Sequence, residues 1–554
     1  MNRREFFGSG AAAIATAVRF PTSPLAAELE TNATTAGGET LYNGIRLPPP
    51  WPPRLTELPK EPVTPHYLLS PPAVIPIDIG RQLFVDDFLI AETTLQRTFH
   101  HAEYYPDDPV LKPDKPWEEG NAKQPPCAMV FSDGVWYDPQ DRLFKIWYMG
   151  GYVRGTCYAT SKDGLRWEKP SLDLKPGTNI VQAGSRDSNT VWLDLEEKDP
   201  GRRFKMFRST SGGSTVKGSW ALAMHCSTDG IHWSEPLLSG PCGDRTTVFW
   251  NPFRKVWVYS LRHSLGQQRR RRYWETPDLI HGPKWAAIAE APIWIGSDSL
   301  DPARPDMKIT PELYNLDCVA YESLILGLFT IWRGQPQNRE KPNEVCVGFS
   351  RDGWSWSRPD RRAFCPVSET PGVWNYSNVQ SAGGCCLVVG DQLWFYVSGR
   401  GGTGKTRADG QVCVTSLATL RRDGFASMGA GEAGGTLTTR PVRFSGKHLF
   451  VNADTKAGDL RVEVLDERGQ VVAPFSRSNC IPVRDDKTRQ SVTWKGADDL
   501  SPLAGKTVRF RFHLKNGRLF AFWVSPERNG ASRGYVAAGG PGFTGPMDTG
   551  GSAA

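Results

Sequence analysis

Along the middle of this chain, short runs of β-branched and aromatic residues recur in a fixed order, and each set of runs closes on a polar turn. In the first set the runs occupy residues 134–137, 143–148 and 156–160; in the second, 190–193, 203–208 and 221–224. Residues 247–250 and 255–259, 318–321 and 326–332, and 385–389 and 393–397 belong to three further sets. Runs of this length and makeup, bounded by turn residues, predict strands. No long stretch shows the apolar spacing of a helix.

The closing turn is itself a repeat. It reads Ser161-Lys162-Asp163-Gly164-Leu165-Arg166-Trp167, then Ser227-Thr228-Asp229-Gly230-Ile231-His232-Trp233, then Ser350-Arg351-Asp352-Gly353-Trp354-Ser355-Trp356. Degenerate copies run from Glu275 to Trp285 and from Leu420 to Phe425. Copies at irregular spacing predict repeats of one supersecondary unit. Asp-Gly suits a tight turn, because glycine accepts positive φ and aspartate bonds its own turn. A unit that buries its face only against its neighbours predicts closure into a ring. Four-stranded units repeated about an axis are the blades of a propeller. The predicted fold is therefore all-β: a five-bladed β-propeller over residues 81–430, followed by a C-terminal β-sandwich. A long-looped β-sandwich is the alternative, and in-phase repeats weigh against it.

The second domain rests on a change of pattern. After a Gly/Ala-rich stretch at 429–435, residues 460–464 and 508–512 alternate cleanly between apolar and polar. Such alternation marks half-buried antiparallel strands, which predicts the sandwich over 431–527. The proline-dense segment 28–80 is expected to lie extended on the surface. The Gly/Ala/Pro-rich tail 528–554 is expected to be disordered.

Composition adds limits. The chain of 554 residues carries a net charge of +7, modest for its length, and 20 Trp, enough for both packing and sugar stacking. The run Arg269-Arg270-Arg271-Arg272 matches a nucleic-acid patch in composition, but it falls between two strands of one unit and reads as a solvated turn, so no nucleic-acid partner is expected. The N-terminus places Arg3-Arg4 before a small, mildly apolar stretch and a small-residue site near Ala26-Ala27, the order of a twin-arginine export signal over residues 1–27. A periplasmic or extracellular location follows, without membrane insertion, since the apolar stretch is too short to span. The 11 Cys, an odd number, read mostly as small buried hydrophobes; Cys157, Cys226, Cys346 and Cys413 fall on third strands of different units, too far apart to pair. No spacing points to zinc.

Candidate chemistry appears when the units are aligned on Tyr137, Leu193, Trp250 and Tyr321. Four residues earlier stand Asp133, Asn189, Thr246 and Asp317; six earlier stand Phe131, Asp187, Asp244 and Asn315. The fifth unit offers Asn375, Tyr376, Asn378 and Gln380. First strands of a propeller are innermost, so these side chains should converge on one axial funnel. Carboxylates placed this way suit glycosidic cleavage, in which one acid protonates the leaving oxygen and a second carboxylate activates water or attacks the anomeric carbon. Strand-start capping is the competing reading for any single residue. Second strands end in Arg208, Arg262-His263, Arg333 and Arg400, and Arg245 follows Asp244. Arginine forks suit carboxylate or sulfate groups; inter-unit ion pairing is the alternative. Glu118 and Glu119 would be reserve acids in what reads as a solvated loop, and Glu322 belongs to the opposite end of its strand. Gly399 to Thr406 matches a phosphate-binding loop in letters, but a strand follows where a helix is needed.

Taken together, the turns and the trailing sandwich resemble the five-bladed glycoside hydrolase superfamily that holds families 32, 43, 62 and 117. The resemblance implies catalytic acids at inner-strand starts, and by position Asp133, Asp187 and Asp244 fill those slots with Asp317 as a spare. The Asn-Asp-Pro-Asn-Gly, Arg-Asp-Pro and Glu-Cys motifs of family 32 are absent, so fructosidase activity does not carry over. Family 43 implies a structural calcium ion as an option; no cofactor is required for the reaction. The turns also resemble the Asp-box of sialidases, which has one more residue before its Gly. The expected function is that of a secreted, exo-acting glycoside hydrolase on a poly- or oligosaccharide, with an anionic (uronate or sulfated) substrate if the arginines bind it. Asp133 or Asp244 would be base or nucleophile and Asp187 the acid or its modulator. A non-catalytic carbohydrate-binding propeller, a sialidase-like enzyme and a structural envelope protein are the rivals. Oligomeric state is not legible in the sequence.

Overall fold

A computed structural model describes residues 38–107, 109–211, 220–266, 268–404 and 407–550; the proposed export signal lies outside them. The described chain is almost entirely β, with one short α-helix, His66–Leu69.

Five antiparallel sheets follow one another in chain order. In the first, Ala128–Met129 and Val135–Asp138 both pair with Leu143–Gly150, followed by Gly155–Ser161 and Ile180–Gln182. The second is Asn189–Leu193, Phe204–Ser211, Trp220–Ser227 and Leu237–Cys242; the third is Thr247–Asn251, Val256–Leu265, Gln268–Thr276 and Ile293–Ile295. The fourth contains Glu312–Glu322, Leu324–Trp332 and Glu344–Ser350. In the fifth, Ser377–Ser381 and Leu387–Val389 pair with Gln392–Arg400, then come Cys413–Arg421 and, from before the first sheet, Glu103–Tyr104.

The repeated turns show how these sheets hold one another. Ser161 Oγ accepts the Gly164 N–H (2.8 Å), and Asp163 Oδ1 accepts the N–H groups of Leu165 (2.9 Å) and Arg166 (2.8 Å). The same bonds recur at Ser227–His232 and Ser350–Ser355. Each turn docks on the preceding sheet. Trp147 of the first sheet donates to Gly230 O (2.7 Å), Trp285 of the third to Pro241 O (2.7 Å), Trp294 of the third to Trp354 O (2.9 Å) and Tyr321 of the fourth to Asp423 (2.5 Å). The circuit closes when Tyr396 of the fifth sheet donates to Gly164 O (2.5 Å) in the turn of the first.

Two further sheets carry a separate core. One orders Asp486–Val492, His448–Asp454, Gly517–Ser525, Ala426–Ala430 and Gln96–Phe99, with Gln82–Leu83 also on Gly517–Ser525; the other orders Ile90–Thr93, Gly435–Thr439, Arg509–Lys515 and Asp459–Leu465. Their core includes Phe84, Phe510, Phe512, Phe522 and Val462. The expected boundaries shift accordingly. Residues 82–99, assigned by sequence to the first domain, supply three strands here, and Ala426–Ala430 joins them. The proline-rich segment is not merely superficial, since Leu41, Ile45, Leu47, Tyr67 and Ile75 are buried in this core. The tail is ordered through Gly550: Tyr535–Val536 pairs with Tyr321 and Glu322, Ser532 donates to Glu322 (2.7 Å), and Arg422 reaches Asp548 (3.3 Å). Small residues let it pack where bulkier ones would clash; a Cβ on Gly540 would lie 1.8 Å from Val388 O.

Candidate active site

The first strands of the first four sheets touch in succession, and the polar residues at the strand starts separate into two layers. In the inner layer, Asp133 accepts the Phe131 N–H (3.0 Å), the Asn189 amide (3.1 Å) and Arg186 (3.0 Å). Asp317 accepts Ser132 Oγ (2.9 Å), Ser381 Oγ (2.6 Å) and the Asn315 amide (2.8 Å). Arg245 reaches from the third sheet to the first and fifth. Its guanidinium lies 3.7 Å from the Phe131 ring centre and donates to Phe131 O (3.0 Å), Ser132 Oγ (3.1 Å) and Gln380 Oε1 (3.0 Å). Arg271 supports it, donating to Arg245 O and to Asn315 Oδ1 (3.1 Å). Burial pushes both carboxyls above their usual range, opposed by Arg186 at Asp133 and by Arg245 at Asp317. Burial also lowers Arg271 to about 9. Asp133, Asp317, Asn189, Arg245 and Arg271 are all buried, so this layer is a polar plug knit together by its own side chains.

The outer layer is partly exposed, with Asp187, Asp244, Arg262 and Tyr314 all half-buried. Asp187 is half-buried, and its Oδ1 is shielded from water without a hydrogen bond. Burial raises its pKa, Arg245 opposes the rise and the neighbouring Asp244 charge adds to it; the result is about 6. The start of the second sheet is tied to Asp244 through Ser188 Oγ, which donates to Asp244 O (2.9 Å) and Thr246 O (2.8 Å). Arg262 Nε lies 3.4 Å from Asp244 Oδ1. Tyr314 completes the group: burial, and then the Asp187 charge, raise its hydroxyl to about 12. Tyr314 is the extra residue of a β-bulge between Leu313 and Asn315, a device that re-aims a side chain.

The other sequence candidates divide. Arg208 is half-buried, donates to Ser185 O (3.3 Å), and is lowered to about 10 by burial and by Arg186. His263 is held below its ordinary pKa by burial and by Arg272 and Arg262. Arg400 lies 3.5 Å from Glu340 and 5.0 Å from the Tyr152 ring centre. Arg333 is buried against Glu344, and Tyr376 is buried beneath Arg339, 4.5 Å away; neither joins the carboxylates. Two expectations are corrected. The arginine run is not a solvated turn: Gln268–Thr276 is a strand, and Arg271 is fully buried. Glu118 is not solvated: it is buried, accepting Tyr148 Oη (2.6 Å) and Lys169 Nζ (2.8 Å). The cysteines are free and mostly buried, with Cys413 and Cys127 joined by a parallel backbone bridge across the seam of the fifth and first sheets. Of the Gly399–Thr406 motif, Gly399 and Arg400 end a strand, while Lys405 and Thr406 lie outside the described residues. Among the described residues no group of three His, Cys, Asp or Glu gathers as a metal site, and no helix is long and apolar enough to cross a membrane.

Sequence reasoning missed Arg186, Arg271, Tyr314, Glu340 and Lys341. Arg186 and Tyr314 each stand one position before an aligned candidate, and the bulge hides the second from a strict period of two.

No family model and no curated protein matches this chain. Solved structures similar to it include an N-acetylgalactosamine deacetylase from F. plautii, 12% identical, covering 61% of this chain and 96% of that one at a TM-score of 0.40. A thermostable family-43 glycoside hydrolase is 12% identical, covering 55% and 95% at 0.38. The β-1,2-mannobiose phosphorylase of Listeria innocua is 14% identical, covering 58% and 97% at 0.35. The resemblance to family 43 is thus present among solved structures, and it is remote.

Proposed function

We propose that the ring of five sheets is a five-bladed β-propeller, that the two further sheets form a β-sandwich beside it, and that the outer layer is the active site of an exported, exo-acting glycoside hydrolase on a poly- or oligosaccharide. The observation that carries this reading is Asp187. A carboxyl with a buried, unbonded oxygen and a pKa of about 6 keeps its proton up to about pH 6, well above an ordinary carboxylate, as suits a general acid. Asp244, from the neighbouring sheet, supplies the second carboxylate. Asp187 gives its proton to the glycosidic oxygen as the bond to the anomeric carbon breaks. Asp244 either takes a proton from the attacking water or attacks the anomeric carbon itself; the anomer released distinguishes the two courses. Asp133 and Asp317 hold the plug beneath. The Arg245 guanidinium already occupies the acceptors Phe131 O, Ser132 Oγ and Gln380 Oε1, which speaks against a cation held by them, and the proposed reaction uses no metal.

Reducing-sugar release from neutral arabinans and xylans and from uronate-rich and sulfated polysaccharides tests the reading. Release from one substrate, lost in Asp187→Asn and Asp244→Asn, supports it. Binding without release on any substrate transfers the chain to the carbohydrate-binding reading.

A further inference from the structure

Around Tyr314 and Tyr152 is a group of cations that the cleavage reaction does not use. Arg269 lies 5.6 Å from the Tyr314 ring centre, and Lys341 Nζ lies 5.4 Å from it. Arg400 is the third cation, against Tyr152. Their counter-charges are fewer. Glu312 pairs with Arg269 at 2.7 Å, leaving Glu340 shared between Arg400 at 3.5 Å and Lys341 at 4.0 Å. The Lys341 ammonium has no hydrogen bond to any described residue, and 4.0 Å is the outer limit of its one ion pair. It is half-buried, so water satisfies it only in part. Burial, then the Arg400 charge, hold Lys341 below its usual pKa, and Lys341 in turn acts on Asp187. A half-buried ammonium with a surplus of neighbouring positive charge is stabilised by an incoming anion.

Resting on the proposed hydrolase site, we propose that Lys341, backed by Arg269 and Arg400, binds an anionic substituent, a carboxylate or a sulfate, on the sugar whose glycosidic bond faces Asp187 and Asp244. Tyr314 is the platform between the two walls. The sugar ring would lie over it with its glycosidic oxygen toward Asp187 and its charged group toward Lys341.

The test is isothermal titration of the full chain with glucuronate and galacturonate, with glucose 6-sulfate and galactose 6-sulfate, and with glucose and galactose. A single charge-assisted contact corresponds to about tenfold or more in affinity. The expected result is that one acidic class binds at least about tenfold tighter than its neutral parent. Added salt should weaken that binding, Lys341→Met should abolish the preference while neutral-sugar affinity stays, and Lys341→Arg should keep it. The carboxylate and sulfate arms show which anion is read, and thermal melts of both variants control for folding. Equal binding of acidic and neutral sugars, a preference that survives in Lys341→Met, or no binding of any acidic sugar overturns the proposal. Hydrolysis of a neutral polymer by the same protein would leave the hydrolase reading standing while this one falls. Lys341-dependent binding of an acidic sugar without cleavage of any polymer would do the reverse.

Discussion

Replacing Asp187 by Asn should cut activity sharply and stabilise the protein at neutral pH, and the two effects have one cause. Folding raises this carboxyl from 3.8 to about 6, so the folded state binds the proton more tightly than the unfolded one. The stabilisation from that proton is complete below pH 3.8 and is lost as pH rises through about 6. Above that point the native state carries an ionised, poorly solvated carboxylate. A shift of about two units at about 1.4 kcal/mol each corresponds to about 3 kcal/mol, an upper value for a half-buried group. Asparagine keeps the shape and never ionises. The unfolding entropy of about 2 cal/mol/K per residue, over roughly 500 residues, converts about 3 kcal/mol into about 3 °C. The assay is thermal unfolding of both proteins from pH 3.5 to 8. Melting temperatures should coincide near pH 3.5, and the variant should lead by up to about 3 °C above pH 7. Activity should fall by about 10² to 10⁴. In the wild type, kcat/KM should fall as pH rises through about 6, where the acid loses its proton. A variant no more stable than wild type at pH 7.5, or equally more stable at every pH, refutes the assignment of a strained, ionisable Asp187.

Asp244→Asn removes the charge that raises Asp187, so in any residual activity the alkaline limb should move to lower pH; a limb that moves upward or stays contradicts the coupling of the two carboxyls. Gly230→Ala should destabilise by about 1–3 kcal/mol, because φ is +78° there and the new Cβ would lie 2.5 Å from Trp147; an unchanged melting temperature would show that the turn does not clamp the second sheet to the first. Truncation after Ser525 removes the strand on Tyr321 and the Ser532 and Asp548 contacts to Glu322 and Arg422. It should lower the melting temperature and expose the apolar faces of Trp136 and Trp192 to a hydrophobic dye, and full stability without the tail would refute its structural role.

The sequence by itself determined what repeats locally. The Ser-x-Asp-Gly-x-x-Trp phrase dictates its own turn, because its hydrogen bonds run over six consecutive residues and its glycine needs no partner elsewhere. The alternating runs at 460–464 and 508–512 likewise announced a half-buried sheet. The offset shared by Asp187 and Asp244 already places both at the same end of their strands. Tertiary structure decided everything that depends on distant partners. Gln82–Leu83 pairs with Phe522 and Ala521, and two residues carry too little pattern to foretell a partner so far along the chain. The tail is ordered by a strand edge it meets only after folding. The division of four similar aspartates into a buried pair, Asp133 and Asp317, and a half-buried pair, the proposed acid and base, came from the packing around each. The Arg186 guanidinium from the neighbouring sheet binds Asp133, and Ser132, Ser381 and Asn315 bind Asp317, while burial beside another carboxylate lets Asp187 keep its proton up to about pH 6. Burial and charge proximity set that difference, and both are properties of the folded ring.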